Sequence, residues 1–396
     1  MTITEDTEAA LLAALRPEAR NSPDSGIYAV IRRGLGRQGL IRLWVGEGDQ
    51  PTPGFIADAA AGSLRAGETF YTQQRGIPEL REALARYHEL HYGRPFRPER
   101  FFVTASGMLA VQIAVRLVAG DGDEVVVPTP TWPNIAAAIG IGGAVPVHVP
   151  MDFSPDGWRL DLDRLFDAVG PKTRALFINT PANPTAWVAS HDEIAAIAAF
   201  AEERGLWIIA DEVYHRFFYA GGRAPSFYDH VADDSRVLFV NTFSKNWAMT
   251  GWRVGWLSAP PILGDTIENL NQYSTTGVAV FMQRAAVAAL DDGEDFVAGQ
   301  VARAQAGRDT VVSALQATGR ARLAVPDGAF YLMFGIDGED DAHDLALRLV
   351  DEAGLGLAPG PAFGPGGEGF LRICYLRSTA ELSSAMERLT GWLERS

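Results

Sequence analysis

Seven short apolar runs, rich in β-branched residues, recur along the central part of the chain. Segments long enough to form a helix separate most of them. Strands that are apolar on both sides and alternate with helices are typical of a mainly parallel sheet covered on both faces. We therefore predict an α/β fold with seven strands near Phe101–Thr104, Glu124–Val127, Val145–Val149, Ala175–Ile178, Trp207–Ala210, Val237–Val240 and Val254–Leu257.

The remainder of the chain predicts a smaller α+β domain. A long helical pattern runs from about Gln283 to Leu315. It is followed by strand-like runs at Ala329–Phe334 and Phe370–Tyr375, a helix from about Asp341 to Ala353, and a last helix ending near Glu394. Because 396 residues are many for one core, we predict two domains. The predicted parts are an N-terminal arm with part of the small domain (1–45), a large domain (46–290) and a small C-terminal domain (291–396).

Composition and charge exclude several classes of protein. The hydrophobic content of 47% and charged content of 21% are those of an ordinary soluble globular protein. A formal net charge of −15 argues against duplex DNA or an anionic membrane as a partner. The N-terminus has acidic residues and no signal-peptide pattern, and no apolar stretch approaches the ~20 residues of a membrane span. We expect a cytoplasmic protein. The single cysteine, Cys374, excludes an internal disulfide and a cysteine-rich metal site, and we predict no metal.

The most informative residues lie just after the apolar runs, because ligands of parallel sheets bind beyond the carboxyl ends of the strands. Lys245 follows the sixth run, where desolvation would disfavour its ammonium form and leave a nucleophilic amine. Arg253, flanked by Gly251 and Gly255, suits a phosphate ester. An amine and a phosphate clamp are what a protein needs to hold pyridoxal phosphate covalently. A surface lysine and a structural arginine are the alternative for so short a motif.

Four further residues suit other parts of such a ring. Ser106 can cap a helix whose first N–H groups face an anion. Asp211 must be paired or solvated and suits a pyridinium nitrogen, although it could instead cap a following helix. Two prolines would fix the direction of the Asn183 amide. Trp132 could stack on the ring, although an isolated tryptophan is more often part of a core.

Together these strand ends resemble the class I and II aminotransferases of pyridoxal-phosphate fold type I. The resemblance extends from Gly46-Glu47-Gly48-Asp49 to Leu371-Arg372-Ile373, which is nearly the whole chain. It implies a large domain with a mainly parallel sheet and a smaller α+β domain. It also implies a homodimeric, pyridoxal-phosphate-dependent transaminase of amino acid metabolism. Such an enzyme moves an amino group between an amino acid and a 2-oxo acid in two half-reactions.

The resemblance also implies a role for individual residues. Lys245, Asp211 and Tyr214 would be catalytic: Lys245 carries the cofactor and shuttles a proton, and Asp211 pairs with the ring nitrogen. Tyr214 and Asn183 would bond the phenolic oxygen, and Trp132 would stack over the ring. The phosphate would be held by Ser106, Gly107, Met108, Thr242 and Arg253, together with Tyr71 of a neighbouring subunit. The substrate would contact Gly46, Trp132, Asn183 and Arg372, with Arg372 clamping its α-carboxylate.

The sequence departs from the family pattern at a few positions. Ala186 ends the usual Asn-Pro-Thr-Gly, Gly48 replaces a proline, and Thr242 replaces a serine. Met108 stands where some bacterial aspartate aminotransferases have a lysine that reads the side-chain carboxylate. Its presence makes apolar or aromatic amino donors plausible. A lyase of the same fold, such as a C–S lyase, and a non-catalytic ligand sensor remain as alternatives. The sensor is less expected, because the chain has neither a spare N-terminal domain nor a basic surface.

Overall fold

The computed structural model of the protein describes residues 5–395. Its helices are α1 (Glu5–Ala13), α2 (Pro17–Arg20), α3 (Gly26–Gly34), α4 (Gly54–Arg65), α5 (Pro78–Tyr92), α6 (Gly107–Val118), α7 (Asn134–Ile141), α8 (Leu162–Asp167), α9 (His191–Arg204), α10 (Phe243–Asn246), α11 (Gly264–Thr275), α12 (Val280–Asp292), α13 (Glu294–Ala317), α14 (Ala342–Arg348) and α15 (Thr379–Leu393). Its strands are β1 (Ile41–Arg42), β2 (Phe101–Thr104), β3 (Glu124–Thr129), β4 (Val145–Pro150), β5 (Asp152–Ser154), β6 (Gly157–Arg159), β7 (Thr173–Asn179), β8 (Trp207–Asp211), β9 (Val237–Thr242), β10 (Gly255–Ser258), β11 (Ala321–Arg322), β12 (Tyr331–Ile336), β13 (Leu355–Gly356), β14 (Ala358–Pro359) and β15 (Leu371–Cys374).

The predicted apolar runs form one seven-stranded sheet with the order β2-β10-β9-β8-β7-β3-β4. Strands β4, β3, β7, β8 and β9 are parallel to one another. Strand β10 is antiparallel to both β2 and β9, so the sheet is mixed and mainly parallel. The predicted α/β fold class is confirmed.

Alternate residues of the central strands enter two separate cores. In β7, Leu176 and Ile178 pack into the core on one face, whereas Ala175 and Phe177 pack into the core on the other. Helix α6 packs against β9 and β10, and α9 packs against β8. Because both faces of the sheet are buried, its strands have no solvent-facing side and do not alternate between apolar and polar residues. This explains why their sequences are continuous apolar runs.

The C-terminal elements build a second, smaller sheet with the order β11-β12-β15-β14. Helix α15 covers a third core there, which also takes in Val30 of α3 and Leu43 after β1. Strand β1 pairs in parallel with β13, Ile41 opposite Leu355. The N-terminal segment therefore contacts the C-terminal part of the chain. The division at residues 45 and 290 stays a prediction, and residues 1–4 of the predicted arm lie outside the described residues.

The prediction of one long helix from Gln283 to Leu315 is wrong, because the chain forms two helices, α12 and α13, that meet at Gly293. A Cβ atom at Gly293 would lie 2.2 Å from the carbonyl oxygen of Ala289 and 2.7 Å from the indole ring of Trp247. Only glycine fits this junction. Within residues 5–395, no helix is both long and apolar enough to cross a membrane.

Candidate active site

The strand register gathers most of the predicted residues at one edge of the large sheet. Asn179 at the end of β7 lies opposite Asp211 at the end of β8, and Gly255 of β10 lies opposite Thr242 of β9. A cavity of about 390 Å³ opens at this edge, between the large sheet and residues of the N-terminal and C-terminal segments. The predicted residues that line it are Gly46, Gly107, Met108, Trp132, Asn183, Asp211, Tyr214, Thr242, Lys245, Arg253 and Arg372.

Two predicted residues do not line the cavity. Ser106 lies beside it, as the residue that caps α6. Tyr71 lies away from it, in the loop between α4 and α5, and its side chain is 90% exposed. A single subunit therefore does not bring Tyr71 to the site, and the role predicted for it requires a second copy of the chain.

Lys245 lies in the short helix α10, directly after β9. Its Nζ donates a hydrogen bond to the carbonyl oxygen of Gly46 at 2.7 Å. Although part of the side chain faces the cavity, burial lowers the pKa of Lys245 to about 8. A substantial fraction of the amine is therefore neutral just above neutral pH, as a nucleophile or general base requires.

Asp211 is a buried carboxylate without a cationic hydrogen-bond partner. It is 3% exposed, and it accepts one long hydrogen bond, 3.4 Å, from the backbone nitrogen of Val213. No ion pair to Asp211 forms within residues 5–395. Burial raises its pKa to about 7, and the charge of Lys245 opposes this only weakly. The chain continues as a turn after Asp211, so the alternative of a helix N-cap is excluded.

The first residues of α6, Gly107 and Met108, line the cavity together with Arg253. The Ser106 hydroxyl accepts from the backbone nitrogen of Leu109 at 3.2 Å, and the backbone of Ser106 has φ = 112°, an unusual value for a residue with a side chain. Arg253 is exposed and its guanidinium donates to the carbonyl oxygen of Thr250 at 2.6 Å. It forms no ion pair with any described carboxylate, so its charge remains available to an anion.

Gly255, which the sequence indicates only as a neighbour of Arg253, makes this close packing possible. A Cβ atom there would lie 2.6 Å from the backbone nitrogen of Gly107. The strand β10 can therefore approach the first turn of α6 only because residue 255 is glycine.

Arg372 is almost completely buried, at 3% exposure, and has no carboxylate partner within the described chain. Its Nη1 donates to Oδ1 of Asn183 at 3.0 Å, and its Nη2 donates to the carbonyl oxygen of Trp44. Its Nε has no partner. The guanidinium lies between two rings, 4.7 Å from the Tyr331 centroid and 4.9 Å from the Phe363 centroid. Arg372 is therefore not a structural arginine held by an ion pair within residues 5–395.

The cavity residues that the sequence did not indicate include Asn179, Tyr331 and Ser244. Asn179 donates to the carbonyl oxygen of Asp211 at 3.0 Å and accepts from the backbone nitrogen of Asn183 at 2.9 Å, so it holds both residues in place. As the first residue after the fourth apolar run, it obeys the strand-end rule and could have been found. Tyr331 and Ser244 also line the cavity. Tyr331 gave no signal, because it belongs to an apolar strand.

These groups fit pyridoxal phosphate on structural grounds. The unpaired, buried carboxylate of Asp211 matches a pyridinium nitrogen, and the α6 N-terminus with Arg253 matches a phosphate. Lys245 offers an amine with a lowered pKa between these two ends. The fold and this constellation define a pyridoxal-phosphate-dependent enzyme of fold type I.

Comparison with known proteins identifies the family. Residues 39–389 match the model of the family described as aminotransferase class I and II. A probable aspartate/prephenate aminotransferase of Aquifex aeolicus is 35% identical over 364 residues, 90% of this chain and 91% of that protein. Aromatic-amino-acid aminotransferase 2 of Thermococcus litoralis is 36% identical over 358 residues, 89% and 92% of the two chains. A mutant aspartate aminotransferase structure from Thermus thermophilus has a TM-score of 0.89 at 32% identity, covering 96% of this chain and 99% of that one.

The chain belongs to the class I and II aminotransferase family. It is a transaminase, and it depends on pyridoxal phosphate. These statements confirm the predicted enzyme class and cofactor. The comparisons do not assign the individual site residues, whose roles are proposals.

Proposed function

We propose that this aminotransferase binds the α-carboxylates of an amino acid and of a 2-oxo acid in turn at Arg372, and that Lys245 moves the proton at the α-carbon. One observation carries the proposal. A buried guanidinium and a buried carboxylate, Arg372 and Asp211, line the same cavity as Lys245, and neither has a charged hydrogen-bond partner in the described protein. Unpaired buried charges are costly, so they are expected where a ligand supplies the missing partner.

Pyridoxal phosphate, when bound, carries the amino group between the half-reactions and withdraws electrons from the substrate α-carbon. Asp211 keeps the ring nitrogen protonated, which strengthens this withdrawal. Tyr214 and Asn183 donate to the phenolic oxygen. Ser106, Gly107, Met108, Thr242 and Arg253 bind the phosphate, and Trp132 lies against the ring.

Lys245 and Arg372 act on the substrate itself. With a pKa of about 8, the Lys245 amine can accept the proton from the α-carbon and return it at a neighbouring atom without a large energetic cost. Arg372 offers a planar fork to the two carboxylate oxygens, and its unpartnered Nε is one free donor of that fork. Stacking on Tyr331 and Phe363 fixes the plane of the guanidinium.

We further propose an amino donor with an uncharged, apolar or aromatic side chain. Ile27, Ile31, Val45, Met108 and Phe363 line the cavity. Its cationic lining residues are those already assigned to the phosphate, the cofactor and the α-carboxylate. A side-chain carboxylate would therefore find no positive partner from this chain. The name of the Thermococcus litoralis relative agrees with an aromatic donor, whereas several other relatives are named for aspartate.

A donor screen tests both proposals. Purified enzyme with 2-oxoglutarate or pyruvate as acceptor should form the corresponding amino acid from phenylalanine, tyrosine or leucine. Faster turnover of aspartate than of all apolar donors would contradict the proposed donor class alone. Release of ammonia and pyruvate without amino acid formation would indicate the lyase and contradict the transfer reaction.

We also propose a homodimer in which Tyr71 reaches the phosphate of the other subunit. Tyr71 and its neighbour Phe70 are 90% and 84% exposed, and two adjacent aromatic side chains so exposed suggest a protein partner. Sedimentation should show a dimer. Tyr71→Phe should weaken cofactor affinity and leave the protein dimeric. A monomer with full activity would contradict the proposal. A cytoplasmic location stays a prediction from the sequence.

A further inference from the structure

Tyr331, in strand β12, forms a pair of hydroxyl groups with Tyr214 inside the cavity. The two oxygen atoms are 2.8 Å apart, and both side chains are buried, at 0% and 3% exposure. Neither hydroxyl has another hydrogen-bond partner within residues 5–395. The geometry does not fix which oxygen donates, so the pair has two possible proton arrangements.

The number of protons restricts these arrangements. Burial raises the pKa of both phenols, so each keeps its single proton over the working pH range. If Tyr214 donates to Tyr331, then Tyr214 has no proton left for a ligand. If Tyr331 donates to Tyr214, then the Tyr214 proton is free to point into the cavity. An acceptor oxygen placed beside Tyr214 selects the second arrangement.

Packing holds the Tyr331 hydroxyl in place. The Arg372 guanidinium covers its ring at 4.7 Å. Gly46 approaches the hydroxyl so closely that a Cβ atom there would lie 2.2 Å from the Tyr331 oxygen. The carbonyl of the same Gly46 accepts the hydrogen bond from Lys245, whose Nζ is 5.8 Å from the Tyr214 ring centroid. The hydroxyl pair is thus fixed beside the reactive amine.

We propose that Tyr331 is a positioning residue whose hydroxyl donates to the Tyr214 oxygen and so directs the Tyr214 proton to the phenolic oxygen of the bound cofactor. This inference rests on the proposed roles of Tyr214 and Lys245. A hydroxyl that accepts a hydrogen bond becomes a stronger donor, because linked hydrogen bonds polarise one another. Tyr331 therefore strengthens the donation from Tyr214 to the ring.

The consequence is measurable at the nitrogen that links the cofactor to Lys245. The phenolic oxygen also accepts from that nitrogen when it is protonated. A stronger second donor on the same oxygen weakens this bond and lowers the pKa of the nitrogen. Tyr331→Phe removes one oxygen atom and should raise the midpoint of the pH-dependent absorbance change by about half a pH unit, less than Tyr214→Phe raises it.

Tyr375→Phe is the matched control. Tyr375 is also fully buried and its hydroxyl also pairs with a tyrosine, Tyr219 at 3.3 Å, but it does not line the cavity. Its substitution should leave the midpoint unchanged. Because phenylalanine keeps the ring under Arg372, Tyr331→Phe should also leave KM for both substrates nearly unchanged.

The double variant separates positioning from other effects. In a Tyr214→Phe background, Tyr331→Phe should cause no further change of the midpoint. Three results would each overturn the inference and leave the proposed function intact. They are a further change of the midpoint in the Tyr214→Phe background, an unchanged midpoint in the single variant, and a rise of KM without a change of midpoint. If borohydride does not fix the cofactor to Lys245 in the wild-type holoenzyme, the proposed role of Lys245 fails, and this inference fails with it.

Discussion

Replacing Asp211 with Asn should stabilise the cofactor-free protein and should disable the cofactor-bound enzyme. The carboxylate is 3% exposed, and its single hydrogen bond is 3.4 Å long. Burial raises its pKa to about 7 from the ordinary value of 3.8. Between these values the folded state binds more protons than the unfolded state, so the free energy of unfolding falls as the pH rises from about 4 to about 7.

The size of this effect follows from the two pKa values. The two pKa values differ by about three units, and each unit corresponds to about 1.4 kcal/mol. The buried, ionised Asp211 therefore destabilises the folded protein by at most about 4 kcal/mol at pH 8. The amide of Asp211→Asn also buries donors without partners, which costs about 1–3 kcal/mol. The cofactor-free variant should therefore be more stable than the wild type by about 1–3 kcal/mol at pH 8. The gain should disappear near pH 4.

Bound pyridoxal phosphate should reverse the sign of this stability difference, because its ring nitrogen supplies the missing positive partner of Asp211. With the cofactor, the variant should be less stabilised than the wild type and should lose most of its rate, tenfold for each ~1.4 kcal/mol. Urea unfolding of both proteins at a fixed protein concentration, with and without cofactor, measures the stability difference in each state.

Asp49→Asn is a control with the same chemical change. Burial opposes ionisation of Asp49, but its hydrogen bonds to Arg303 at 2.7 Å and to the Ser378 backbone at 2.8 Å outweigh burial and lower its pKa. This variant should lose stability at pH 8. If the cofactor-free Asp211→Asn protein proves no more stable than the wild type, Asp211 is not an uncompensated charge and the reasoning is refuted.

Three further predictions concern the charged residues of the cavity. Borohydride should fix the cofactor to Lys245, and recovery of the label on the exposed Lys172, the other lysine of the chain, would contradict this assignment. Arg372→Lys should raise KM for the amino acid and the oxo acid together, at least tenfold in steady-state assays, while the cofactor spectrum stays the same, because lysine lacks the planar fork. Arg253→Met should weaken cofactor affinity about tenfold or more in absorbance titrations and leave donor preference unchanged, because a charge-assisted bond to phosphate contributes about 1.5–3 kcal/mol.

Much of the large domain could be predicted from the sequence because its strands are buried on both faces. Continuous apolar runs gave the positions of all seven strands to within a few residues. Strand ends then indicated Asp211, Lys245 and the start of α6, since parallel strands bring their carboxyl ends to one edge. The antiparallel direction of β10 could not be predicted, because an apolar run has no direction.

The break at Gly293 shows a different limit of sequence reasoning. Periodicity continues through this position, and an isolated glycine in a helical pattern is usually tolerated. Part of what restricts this junction to glycine is a tertiary contact with the ring of Trp247, 46 positions earlier in the chain. Local patterns cannot contain the contact with Trp247, because that ring comes from another part of the chain.

Arg372 and Tyr331 show why the substrate end of the cavity was harder to predict than the cofactor end. Both lie within apolar strands, β15 and β12, that pair so that Arg372 is opposite Met333, two positions from Tyr331. In isolation each reads as part of a core, and the role proposed for Arg372 depends on a carboxylate that the protein does not supply. Arg372 differs from the paired arginines of the surface, such as Arg303 with Asp49, because it is buried and lacks a carboxylate partner. A missing partner is visible in a structure and has no counterpart in a sequence. A buried charge left unpaired by the protein therefore points to the ligand more directly than any motif does.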